Sequence, residues 1–170
     1  MLLAEALAAK KDALTEVSDL RERLAAAAVR YEDQDAATED PAELVAKLTD
    51  ALDRVQSLTV RINTSNNAAH LVFDGRELSI MEAVALRDRL TLEAKARRAV
   101  VDAIDEALET KRRPRGDFYA VSGRRSKDDI RRVVTVDYKA ARRAADDVSE
   151  RVRRLDIALQ QQNWTVELID

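Results

Sequence analysis

The chain has 170 residues, room for one core-forming domain and little for a second. It has no cysteine, which excludes disulfides and thiolate metal sites, and only three glycines and two prolines to break regular structure. Charged residues make up 36% and Ala, Glu, Leu and Arg are abundant, the bias of long helices with solvated faces. The formal charge of −3 is unevenly spread. Lys111 to Arg154 holds fifteen Lys/Arg against seven Asp/Glu, a net +8, and the remainder holds fourteen against twenty-five, a net −11. Such asymmetry fits a nucleic-acid patch, or a basic face meeting an acidic one in the same or a sister chain.

The N-terminus reads Met1-Leu2-Leu3-Ala4-Glu5, without the leading basic residues of a secretory signal. The longest apolar run, Leu24 to Val29, is far short of the roughly 20 residues that cross a bilayer. A cytoplasmic location without membrane insertion is therefore expected. From about Leu2 to Tyr31, Leu3, Leu7, Leu14, Val17, Leu24, Ala28 and Tyr31 form one helical stripe, interrupted by Lys10 and Arg21 and flanked by Leu20. The acidic stretch Glu32 to Asp40 reads as a loop. Asp40-Pro41-Ala42-Glu43 then places an acceptor at the N-cap and proline at the first position of a second helix. Its seam, Leu44, Leu48, Ala51, Val55, Leu58 and Ile62, alternates fours and threes. The run Asn63-Thr64-Ser65-Asn66-Asn67 predicts its end, since these side chains compete for backbone hydrogen bonds.

Leu71-Val72-Phe73, Asp74-Gly75, Arg76-Glu77-Leu78 predicts a hairpin, because Asp-Gly suits the positive dihedrals of a two-residue turn. Ser79-Ile80-Met81-Glu82 is a capping box and opens a third helix. That helix carries Ile80, Ala83, Arg87, Leu90, Ala94, Arg97, Val101, Ile104 and Leu108. From about 110 to 129 the chain reads as an irregular basic loop, and Ile130 to Val136 as a short strand. Asp137 caps a fourth helix with Ala141, Ala145, Val148, Val152, Leu155 and Leu159 on one face. The tail Asn163 to Leu168 alternates apolar and polar, as strand or as frayed helix. The expected architecture is a mainly α, antiparallel four-helix bundle of coiled-coil character over residues 1–170, with a short β-hairpin between helices 2 and 3.

No catalytic constellation emerges. The lone histidine, His70, lies between helices, so the Glu-x-x-His pairs of a di-metal bundle are missing, and no metal or cofactor is expected. Asp128-Asp129 and Asp146-Asp147 are adjacent and diverge on a helix, and Ser79 and Ser126 read as caps. The sharpest local feature is the basic patch Lys111, Arg112, Arg113, Arg115, Arg124, Arg125 and Lys127 around Phe118 and Tyr119. It could grip phosphates and stack on bases, or dock on an acidic face of a sister chain. Arg87 and Arg97 on an apolar stripe, with Asp88 beside the first, suggest a polar network that fixes register or an interface, with small-anion binding as the alternative. Arg61, Asn63, Asn66 and Trp164 complete the candidates for interaction.

Arg61-Ile62-Asn63-Thr64-Ser65-Asn66, Asp74-Gly75 with Leu78, Arg87-Asp88, Val134-Thr135-Val136-Asp137, Leu155-Asp156 and Asn163-Trp164 occur in order along the chain. In these features the sequence resembles the septicolysin-like family of small bacterial proteins. The resemblance implies a helical fold and no catalytic signature; the longer basic stretch Lys111 to Lys127 departs from the family pattern. The functional expectation is a self-associating structural or interaction module, a homo-oligomer, with nucleic-acid binding through residues 111–127 as the alternative and ligand binding around Arg87 as a second.

Overall fold

The computed structural model describes residues 1–29, 39–112 and 133–169, with backbone alone at 110–112. The elements are α1 (Leu3–Ala27), α2 (Pro41–Ala68), β1 (His70–Phe73), β2 (Arg76–Ser79), α3 (Ile80–Arg112) and α4 (Tyr138–Asn163). The chain is thus mainly helical, of the bundle class, with the hairpin between the second and third helices. It divides into two compact units, Met1–Val84 with Ile157–Asp170, and Ala85–Asp156.

In the first unit α1 lies on α2. The buried residues of α1 are Leu3, Ala6, Ala13 and Leu20, and those of α2 are Leu44, Ala51, Ile62 and Ser65. Leu20, Leu44 and Ala51 form a cluster against which Val17, Leu24, Ala27 and Leu48 pack. Glu16 meets Arg54 at 2.6 Å, and Leu20 sits with the earlier α2 residues, so the helices run antiparallel. The first helix departs from the expected stripe. Leu7 and Leu14 are 39% and 48% exposed, and the seam instead uses Ala6 and Ala13. Small side chains let the backbones approach, which turns the larger neighbours out of the interface. The helix also stops at Ala27, short of the expected Tyr31.

Local chemistry explains the helix starts. Asp40 Oδ1 accepts from the Ala42 amide at 2.9 Å, with Pro41 in the first turn. Ser79 Oγ accepts from the Glu82 amide at 3.2 Å while Glu82 Oε2 accepts from the Ser79 amide at 2.8 Å, a complete capping box. Asp137 Oδ1 accepts from the amides of Lys139 and Ala140. The hairpin pairs Phe73 with Arg76 across Asp74 and Gly75, whose φ values of 48° and 74° are those of a left-handed two-residue turn. Leu71 and Phe73 point inward and Val72 outward.

Three expectations change. The Asn63–Asn67 run does not end α2, which continues to Ala68. Ile62 and Ser65 are buried there, and Thr64 and Ser65 return their hydroxyls to the carbonyls of Val60 and Arg61, so packing overrides local propensity. Residues 110–112 extend α3 rather than open a loop. Val133–Val136, the described part of the expected strand, is not paired; residues 130–132 lie outside the described residues, as does Ser126.

In the second unit Leu90, Val101, Ile104 and Ala107 of α3 and Ala145, Val148 and Leu155 of α4 are buried. The charge of Arg151 acts on Glu93, and Asp105 acts on Arg142. Position falls along α4 as it rises along α3, so these segments also run antiparallel. Removing the α3 cap by Ser79→Ala is expected to cost about 1 kcal/mol, read as a lower urea midpoint at unchanged m-value.

Candidate functional site

A polar cluster built around a buried side chain forms at the C-terminal end of α2. Ser65 is fully buried at a seam position where an apolar residue would fit. Its Oγ donates to the Arg61 carbonyl at 2.9 Å and accepts from the Ile169 amide at 2.8 Å. Arg61 Nε donates to the Ile169 carbonyl at 3.3 Å. One side chain and one guanidinium therefore hold both backbone groups of Ile169. The same tail pairs with the start of α1: Leu3 donates to the Val166 carbonyl and Leu168 to the Met1 carbonyl, each at 2.9 Å, around an antiparallel Leu2–Glu167 bridge. After a turn at Trp164 and Thr165, the alternating tail is thus extended and paired from Val166 to Leu168.

Asn66 adjoins this cluster, and its Oδ1 is buried with no hydrogen-bond partner among the described residues. Asn63 is exposed on α2. Trp164 is 66% exposed at the turn that leaves α4. Ser65 carries the cluster, and sequence reasoning did not single it out. Its one signal was a small polar residue continuing the heptad Leu44, Ala51, Leu58.

The arginines of α3 are held on their own helix. Arg87 reaches Asp88 Oδ1 through Nε at 3.1 Å and Nη2 at 2.8 Å, with its side chain 37% exposed. Arg97 reaches Glu93 Oε1 through Nε at 2.9 Å and Nη2 at 2.7 Å, and Arg89 reaches Oε2 of the same carboxylate at 3.3 Å. The Arg97 hydrogen bond holds Glu93 below the usual carboxylate range. Hydrogen bonds from Ser79 do the same for Glu82, and one from Arg23 for Glu39. Lys111 and Arg112 fall in α3, their side chains not described; Arg113, Arg115, Arg124, Arg125 and Lys127 lie outside the described residues. His70 opens β1 with Nδ1 3.0 Å from the Ala68 carbonyl.

On the first unit a groove of about 400 Å³ runs along one side of α1 and α2, lined by Asp12, Thr15, Glu16, Asp19, Leu20, Arg23 and Lys47. It is mixed in charge, and Glu16 is engaged by Arg54 and Arg23 by Glu39. Among the described residues no group of three or more His, Asp or Glu could hold a metal ion, and no helix is long and apolar enough to cross a membrane. The described arrangement offers hydrogen-bonded joints and surfaces, and its one serine–carboxylate pair, Ser79 with Glu82 at 2.9 Å, is the capping box of α3.

A two-unit helical protein with a hairpin and a clasped tail is the class these features define. The chain matches a family of unknown function (DUF6847) over residues 10–168 and belongs to it. It is similar to a functionally unknown conserved protein from Corynebacterium diphtheriae, whose crystal structure covers 99% of each chain at 27% identity and a TM-score of 0.78. No curated protein matches the chain.

Ser65→Ala leaves the Ile169 amide without its acceptor, which is expected to cost about 1–3 kcal/mol. Amide exchange at Ile169 and chymotrypsin cleavage after Trp164 should both accelerate while helix content is kept. The carboxylates give a pH dependence. Glu39, Glu82 and Glu93 sit below their ordinary 4.5 in the folded chain, so their stabilisation is complete above about pH 4.5 and is lost as the pH falls through the lower folded values. Thermal melts should decline below about pH 4.5, and the Glu93→Gln profile should be flatter there than the parent's.

Proposed function

We propose that the protein is a self-associating structural module, built to present helical faces to other copies of itself. The observation that carries this reading is the set of large apolar side chains left in solvent in the first unit. Leu7, Leu14, Val45, Leu52, Val60 and Trp164 are between 39% and 66% exposed. Scattered exposed apolar residues are ordinary, but exposed residues that recur along helical faces mark contact surfaces. Tryptophan in particular supplies anchor area at interfaces. The described charged groups support the same reading, because Arg23, Arg54, Arg87 and Arg97 are tied to neighbouring carboxylates rather than converging on a ligand. The resemblance to septicolysin-like proteins fits a helical scaffold without a catalytic signature.

Sedimentation equilibrium on the full chain tests it. The expected result is reversible association with a midpoint in the micromolar range. A monomer at every loading concentration up to about 100 µM, where binding worth more than about 5.5 kcal/mol would show, removes the reading.

A further inference from the structure

We draw no further inference here: the strongest candidate, the exposed apolar patch of Leu7, Leu14, Val45 and Leu52 beside the seam of α1 and α2, carries nothing because nothing in the structure shows what covers it.

Discussion

The burial of alanines along α1 and α2 governs the first unit. Ala6, Ala13 and Ala51 are buried where leucines would hold the helices apart. A contact between small side chains brings the backbones together, and the interaxial distance follows from what stands between them. Leu20 and Leu44 then fill one end of the seam, and Leu3 and Ile62 contribute buried bulk towards the other. Once that register is set, the flanking positions have no freedom. The residues before the seam on each helix meet as Glu16 with Arg54, and the residues after it cannot reach the interior. Both the charged groove and the exposure of Leu7, Leu14, Val45 and Leu52 follow from where the seam falls.

The same register delivers Ser65 to the end of the seam. A buried hydroxyl is costly unless its hydrogen-bonding capacity is used, and here it is used on both sides, as donor to Arg61 and acceptor from Ile169. The tail in turn covers the start of α1 through backbone pairing at Met1 to Leu3. A polar residue in the seam is thus converted into a fastening between segments distant in sequence. It also explains why the Asn-rich end of α2 stays helical: unwinding at Asn63 would withdraw Ser65 from the tail and expose Ile62.

Wherever a residue acts on its own neighbours, the sequence was readable. Asp40, Ser79 and Asp137 cap as their spacing predicts, and Asp74-Gly75 turns as its backbone preference requires. The seams of α2 and α4 were also legible, because their four-three alternation of apolar residues is unbroken by charge. In α1 two faces compete, and periodicity favours the one with more leucine. Ala6 and Ala13 win because burial there depends on how near the partner helix can come, which no single-helix pattern encodes. The candidate residues divide in the same way. Arg87 and Arg97 found partners one and four positions away, within reach of local reasoning, whereas the joining of Arg61 and Ser65 to Ile169 needed the fold.

This division bears on what kind of work the described residues can do. A site for chemistry requires groups whose preferred partners are withheld, so that a substrate supplies them. Here the carboxylates at 39, 82 and 93 are all satisfied by donors within the chain, and their acidity is strengthened rather than held near neutrality. Besides Asn66 Oδ1, what the described residues leave unsatisfied is exposed apolar surface. Water offers it nothing in return, and the free energy of covering it is non-directional, so shape and symmetry must supply the specificity. On the self-association reading, Leu7, Leu14, Val45 and Leu52 are the groups whose covering would supply that free energy.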